Sequence, residues 1–277
     1  MVYSTFLCFS TFVSSGNALK SSISLGSTYQ IEGFPDEEEI ELCSTVAQFI
    51  ATLATLRSWD QVENWYGAQT TKDYIYYAAF GGIYPYSITW YAGHGKWDWV
   101  VNWKGFIPFI ELQYWIMDDS GGHVLDKDIY QCTSLQHTRF AMIWACHQAD
   151  TIGDTHWSGT PFGMPYAWLH TTDLSSDGYA NPDGNGLVFI GWKDYTPGLK
   201  AKLGGKEKAG YNFLLNFYAH AFYGHSINGS LDYASKQVWG ATVTFGDSMF
   251  YKGFYDPEGH FQMKVYGDGG HTLPFTG

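Results

Sequence analysis

Hydrophobic residues along this chain form several short continuous runs, of the kind that become strands buried on both faces of a parallel sheet. Residues 87–93 and 140–145 are two such runs, and residues 187–192 are a third. Each is rich in β-branched and aromatic residues and too short for an independent helix. Two later stretches, 242–245 and 263–266, are further strand candidates. The pattern predicts an α/β protein with a mainly parallel sheet.

Elsewhere the apolar residues recur at intervals of three and four, which predicts helices. The longest such segment runs from Pro35 to Leu56, and its acidic start at residues 36–39 suits the positive end of a helix dipole. Residues 74–80 predict a second helix, and the glycines after it lead directly into the first strand. This order of helix, glycine and strand is typical of a crossover unit. Two more helices are predicted later, over 207–223 and 230–238.

The segments between these elements are long enough to carry structure of their own. Residues 109–117 alternate in polarity and lead through a turn to residues 123–125, which predicts a hairpin. A short crossover helix is expected at 126–130. A segment rich in Gly, Asp, Ser and Pro follows residue 146 up to about residue 186, and it is expected to face the substrate. With no repeat and no linker, residues 1–277 are predicted to form one domain, and residues 1–25 are a candidate segment outside its core.

Composition and charge limit the classes of molecule that are expected to bind this protein. The chain has 27 Asp and Glu against 15 Lys and Arg, a formal charge of −12, and no basic patch, so nucleic acid is not an expected partner. No uninterrupted apolar run is long enough to span a bilayer. Scarce lysine and abundant aromatic, Ser, Thr and Gly residues favour an extracellular or cell-surface location, with the cytoplasm as the alternative.

The four cysteines show no metal-type spacing. Whether Cys8, Cys43 and Cys132 form any disulfide is left open. On a helical apolar face, Cys43 is expected to be a core residue. The set His147, Asp150, Asp154 and His156 lacks a recognised ligand spacing, so no metal or other cofactor is predicted.

Two of the predicted strands end in residues that can perform chemistry. The run 87–93 stops at His94 and Gly95, and the run 140–145 stops at Cys146. Because parallel strands present their carboxyl ends at one edge of a sheet, an imidazole and a thiol are expected to meet there. A thiol is a strong nucleophile as a thiolate, and a nearby His can accept its proton and later donate one to a leaving amine. The backbone N–H groups of Gly95 and Cys146 are the expected donors to the oxyanion.

The two motifs together resemble those of the caspase, legumain and gingipain clan of cysteine peptidases. That clan has an apolar run ending in His-Gly and a later one ending in a small residue followed by Cys. Here His94 and Cys146 are 52 residues apart (146 − 94), close to the roughly 50-residue spacing of caspases. The local caspase signature around the cysteine is absent. Residues 187–191 and 265–268 resemble the gingipain-like branch most closely.

The resemblance implies a caspase-like three-layer sandwich, with a mainly parallel sheet flanked by helices. It implies a cysteine endopeptidase that cleaves proteins or peptides through a Cys-His dyad and a thioester. In the family, the loops after the Cys strand and the next strand build the substrate pocket. Those loops here contain Asp150, Asp154, Asp173 and Asp194. A pocket carboxylate favours a basic residue before the cut bond.

Asp194 is the principal candidate for that carboxylate, since it follows the strand 187–192 closely. Asp150 and Trp192 are further candidates for substrate contact. Two functions from other classes remain open: a non-catalytic binding or surface module with the same fold, and a transpeptidase that uses the same Cys-His pair.

Overall fold

The structure is a computed structural model that describes residues 19–67, 70–81, 84–133, 138–151, 163–175, 177–257 and 259–274. Its strands are β1 (Lys20–Gly26), β2 (Gln61–Asn64), β3 (Tyr86–Ala92), β4 (Gly95–Lys104), β5 (Ile107–Met117), β6 (His123–Leu125), β7 (Thr138–Trp144), β8 (Val188–Asp194), β9 (Phe254–Asp256) and β10 (Gly259–Gly267). Its α-helices are α1 (Glu37–Leu56), α2 (Lys72–Phe80), α3 (Asp126–Cys132), α4 (Met164–Leu169), α5 (Ala209–Phe222), α6 (Ile227–Trp239) and α7 (Met249–Lys252).

Seven strands form the main sheet, in the order β2-β1-β3-β7-β8-β10-β9. The first five are parallel, and β10 runs antiparallel to both of its neighbours. One face packs against α1, α5, α6 and α7, whereas the other packs against α2, α3, α4 and a small antiparallel sheet, β4-β5-β6. The predicted α/β three-layer fold with a mainly parallel sheet is therefore confirmed.

The strands predicted to carry the candidate chemistry lie side by side near the middle of the sheet. Strand β3 pairs with β7 in parallel, and the register runs to the pair Ala92 and Trp144. The apolar character of both strands follows from their position, because helices cover both faces of the sheet there. The third predicted strand is β8, which pairs with the other side of β7.

The expectation that residues 1–25 lie outside the core is wrong for residues 20–25. These residues belong to β1, which is fully buried between β2 and β3. Three serines, Ser21, Ser22 and Ser24, fill positions where larger apolar residues would normally mark a strand. Their polarity hides the strand in the sequence, although Ile23 and Leu25 belong to the core. Residues 1–18 lie outside the described part of the chain.

Two further expectations about strands need correction. Residues 242–245 do not form a strand, and a 3₁₀ turn begins at Phe245 instead, where its N–H donates to Asp232 Oδ1 at 2.8 Å. Strand β4, which the sequence analysis did not predict, forms a long hairpin with β5. The predicted hairpin of β5 and β6 is also present, and so is the crossover helix α3.

Helix α1 is long enough and, averaged over 18 residues, apolar enough to cross a membrane, although it contains no uninterrupted apolar run of that length. Its apolar side instead forms part of the core, where Val46, Ala47 and Ile50 pack beneath the sheet. The helix begins at Asp36, whose carboxylate accepts the Glu39 N–H at 3.0 Å. The acidic segment is therefore the start of a helix, as predicted, and the structure adds that Asp36 caps it.

Candidate active site

His94 and Cys146 lie at the same edge of the main sheet, two residues beyond the last paired residues of β3 and β7. The Gly93 N–H donates to the Trp144 carbonyl at 3.2 Å, which extends the pairing to the point where both strands end. Both residues line one cavity of about 190 Å³. The structure thus brings together the imidazole and the thiol that the sequence analysis singled out.

The imidazole of His94 is held by the segment that leads into α1. Its Nε2 lies 2.8 Å from the carbonyl oxygen of Phe34, and the Phe34 ring meets the imidazole edge to face at 6.0 Å. A carbonyl oxygen can only accept, so Nε2 carries the hydrogen and Nδ1 of the neutral ring is left as an acceptor. Burial lowers the pKa of His94, which favours the neutral ring at pH 7. The neutral ring therefore has one nitrogen that can accept a proton.

The sulfur of Cys146 faces the loop that follows β8. The Thr196 N–H donates to Cys146 Sγ at 3.4 Å. A donor aimed at sulfur stabilises the thiolate more than the thiol, so this contact favours the nucleophilic form. The loop residues Tyr195, Pro197 and Gly198 also line the cavity, so the loop both forms a wall and contacts the sulfur.

A buried carboxylate holds that loop in place. Glu39, in the first turn of α1, is only 3% exposed and lines the same cavity as Cys146. It accepts the N–H of Leu199 at 2.5 Å and that of Lys200 at 3.1 Å. Burial raises the pKa of Glu39, while the two backbone hydrogen bonds act in the opposite direction. The sequence pattern indicated only that Glu39 belongs to a helix start, and its place in the cavity was not predicted.

Gly95 and Gln148 pack against the backbone of Cys146. A Cβ at residue 95 would overlap Gln148 Nε2 and the carbonyl oxygen of Cys146, so only glycine fits there. The fully buried Gln148 donates from Nε2 to the Cys146 carbonyl at 2.7 Å and to the Trp115 carbonyl at 3.1 Å. The role of the Gly95 N–H as a donor to an oxyanion stays a prediction. The sequence analysis assigned no role to Gln148.

The residues predicted to contact substrate lie elsewhere. Asp150 and Asp194 line a second cavity of about 630 Å³, and neither lines the cavity of Cys146. The backbone of Asp194 is left-handed (φ +60°), and its carboxylate meets His260 Nδ1 at 2.7 Å. Trp192 is fully buried between Trp144 and Phe250, with ring centroids 5.0 and 4.9 Å away, so it offers no surface to a substrate.

The position of a residue at the end of β8 does not by itself decide whether its side chain faces the cavity of Cys146. Residues 192 and 194 end the same strand, but Trp192 lies in the helix-covered core and the turn at Asp194 redirects the chain. Asp173 is exposed and lines neither cavity. Asp154 lies outside the described residues.

His147, Asp150 and Asp194 lie close enough that one ligand atom from each is within 4.8 Å of the other two. His147 Nδ1 is 3.0 Å from Asp150 Oδ2, and the Asp194 N–H donates to Asp150 Oδ1 at 3.3 Å. These contacts engage His147 Nδ1 and both carboxylate oxygens of Asp150 in hydrogen bonds within the protein. His156, the other residue considered as a ligand, lies outside the described residues. Among the described cysteines, Cys43 and Cys132 are free thiols.

The sequence matches no protein-family model and no curated protein. Solved structures with partial likeness include the protein GSU0716 of Geobacter sulfurreducens, at 11% identity and a TM-score of 0.46, covering 93% of this chain and 98% of that one. Caspase-1 of Spodoptera frugiperda matches at 9% identity and a TM-score of 0.44, covering 93% of this chain and 94% of that one. The Drosophila initiator caspase Dronc matches at 10% identity and a TM-score of 0.38, covering 92% and 82% of the two chains. Assignment to the gingipain-like branch stays a prediction.

Proposed function

We propose that this protein is a cysteine peptidase in which Cys146 is the nucleophile and His94 is the general acid and base. The observation that supports this most strongly is that the two residues line one cavity at the ends of adjacent parallel strands. The hydrogen bond from His94 Nε2 to the Phe34 carbonyl leaves Nδ1 as the atom that takes the thiol proton. The Thr196 N–H stabilises the resulting thiolate.

The reaction then proceeds in two steps. The Cys146 sulfur attacks the peptide carbonyl carbon, and the negative charge moves to the oxygen, where the N–H groups of Gly95 and Cys146 are the proposed donors. When this intermediate collapses, the C–N bond breaks and His94 gives its proton to the departing amine, which leaves a thioester. Water, deprotonated by His94, attacks the thioester, and the acid product leaves as the thiol is restored.

We infer a preference for Lys or Arg before the cut bond, with Glu39 as the carboxylate that recognises it. Glu39 is the acidic residue among those that line the Cys146 cavity, and Phe34, Tyr66 and Phe261 supply apolar walls. The apolar stem of a long basic side chain can lie along such walls while its charged end reaches the carboxylate. A carboxylate has about four acceptor positions, so the two backbone bonds of Glu39 and the Cys43 thiol 3.9 Å from its Oε1 leave one position for a cation.

Hydrolysis of fluorogenic peptide amides ending in Lys, Arg, Asn or Asp tests both parts of this proposal. We expect cleavage after Lys and Arg, loss of activity in Cys146→Ala and unchanged activity in Cys132→Ala, which removes a half-buried free thiol elsewhere in the chain. Glu39→Gln is expected to reduce the preference for Lys and Arg. Activity that persists in Cys146→Ala would reject the nucleophile, whereas a preference for Asn or Asp would reject only the role of Glu39.

A further inference from the structure

The hairpin of β4 and β5 exposes an unusual number of large apolar side chains. Trp99, Val101 and Trp103 alternate along β4 and therefore point to one face, which Ile110 shares because it pairs with Val101. These four residues, called the hairpin face below, are 57%, 60%, 65% and 70% exposed, in that order. At the tip, Phe106 is 98% exposed. Clustered apolar exposure of this kind marks a binding surface.

The base of the same hairpin is anchored in the core. Leu112 and Tyr114, which continue the hairpin face along β5, are buried against α3 and neighbouring elements. The exposed half is thus an extension of a fixed two-stranded ribbon. A fixed apolar surface loses little conformational entropy when a ligand binds it.

The hairpin face is continuous with the candidate active site. Strand β4 begins at Gly95, immediately after His94. The ring of Trp97 lies 6.2 Å from the ring of His147, the residue that follows Cys146. Trp97 and Trp99 line the second cavity together with Asp150. A chain bound at Cys146 can therefore pass over His147 and Trp97 to reach the hairpin face.

The outer edge of β4 offers backbone groups as well. Within the described residues the small sheet has the order β4-β5-β6, so β4 is an edge strand of ten residues. An extended peptide can pair with such an edge through main-chain hydrogen bonds, while its alternate side chains contact the face of the sheet.

From this arrangement we propose that the hairpin face binds an extended apolar segment of the polypeptide whose scissile bond lies at Cys146. This inference rests on the proposed peptidase function and specifies its substrate as an unfolded chain with an apolar segment beside the cut. The opposite side of the hairpin carries the exposed Lys96 and Asp98, and burial of these charges opposes insertion into a membrane. The net charge of −12 opposes pairing with a second copy.

Equilibrium binding to the Cys146→Ala protein tests the proposal without turnover. The probe is a fluorescein-labelled 20-residue peptide that contains one Lys and a run of Leu, Val and Phe, compared with a matched peptide that has Ser and Gly in place of that run. We expect Val101→Ser/Trp103→Ser to weaken binding of the apolar peptide about tenfold and to leave the matched peptide unaffected. The control is Asp98→Ser, an exposed position on the opposite side of β4. Equal binding of the apolar peptide to all variants would overturn the proposal.

A kinetic comparison separates this proposal from the peptidase function itself. In the otherwise unchanged protein, Val101→Ser/Trp103→Ser should raise KM for the apolar peptide about tenfold, while kcat and the cleavage of a short Lys amide stay unchanged. If neither substrate is cleaved, the peptidase function fails, and the binding experiment still decides whether the face takes an apolar segment. Two other results would overturn the proposal. One is a dimer, detected by light scattering, that Val101→Ser/Trp103→Ser abolishes. The other is co-sedimentation with phosphatidylcholine vesicles that the same double variant abolishes.

Discussion

Replacement of Glu39 tests how the loop that contacts the Cys146 sulfur is held. In Glu39→Ala, the backbone N–H groups of Leu199 and Lys200 lose their acceptor. A buried donor left without a partner costs about 1–3 kcal/mol, so two such donors predict a loss of about 3 kcal/mol from the free energy of unfolding. Glu39→Gln keeps one acceptor oxygen and removes the buried charge, so the expected loss is below about 1 kcal/mol.

The pH dependence of the same variants provides a second readout. Because burial raises the pKa of Glu39 above 4.5, the folded state holds its proton more tightly than the unfolded chain does. Wild-type stability from this group is therefore present below pH 4.5 and declines as pH rises through the raised pKa. Glu39→Gln cannot ionise, so this decline should be absent from it.

Urea unfolding followed by tryptophan fluorescence measures these quantities, with Glu41→Ala as the control at an exposed position of α1. Loosening the loop should also weaken the Thr196 contact with sulfur, which should shift the pH profile of Cys146 alkylation to higher pH in Glu39→Ala. A loss of stability in Glu39→Ala no larger than in Glu41→Ala would refute the reasoning.

Three further predictions concern the base, the core and the backbone near the site. Because burial lowers the pKa of His94 from 6.5, hydrolysis should fall only as pH drops below that value, and His94→Gln should abolish this limb of the pH-rate profile. In strand β1, Ile23→Ala should cost about 2–5 kcal/mol in urea unfolding, because the side chain is fully buried. Tyr91→Phe should cost about 1–3 kcal/mol in the same assay, because the hydroxyl donates to the Met117 carbonyl at 2.6 Å.

A substitution at an exposed position serves as the control for the two stability predictions. Leu56→Ala, at an exposed position of α1, should change the free energy of unfolding by less than about 0.5 kcal/mol. If Ile23→Ala is equally mild, β1 is not a core strand. If Tyr91→Phe is neutral, the bond to Met117 contributes nothing to stability. A pH-rate profile of His94→Gln with the wild-type acidic limb would show that another group titrates there.

The sequence pattern predicted the central strands of the sheet, because a strand buried on both faces is marked by a continuous apolar run. Strands β3 and β7 are apolar on both sides because helices cover both faces of the sheet, so continuous runs ending in His94 and Cys146 indicated buried strands. Strand β1 occupies an equally buried position but carries three buried serines, so its sequence does not form a continuous apolar run. Strand β4 alternates charged and aromatic residues over 96–99, a pattern that is typical of a strand.

The candidate site was only partly predictable for a related reason. Which residues end a strand is local information, and it was sufficient to place His94 and Cys146 together. The walls of the cavity come from segments that are distant in sequence. Glu39 and Leu199, which form a hydrogen bond in the cavity wall, are 160 residues apart along the chain. A signal for Glu39 existed: it lies three and four residues before Leu42 and Cys43, on the buried side of α1. Asp194 itself has a left-handed backbone conformation, and the sequence gives no sign of this conformation.

Covalent labelling tests the central claim most directly. The purified protein is treated with a peptidyl-Lys acyloxymethyl ketone, which reacts with a cysteine only after a catalytic site has bound its peptide portion, and the labelled residue is located by mass spectrometry. The account predicts label on Cys146, slower labelling in His94→Gln, and weaker labelling by the matched probe that ends in Asp. Label on Cys132 or Cys43 instead, or labelling of Cys146 that His94→Gln leaves unchanged, would contradict it.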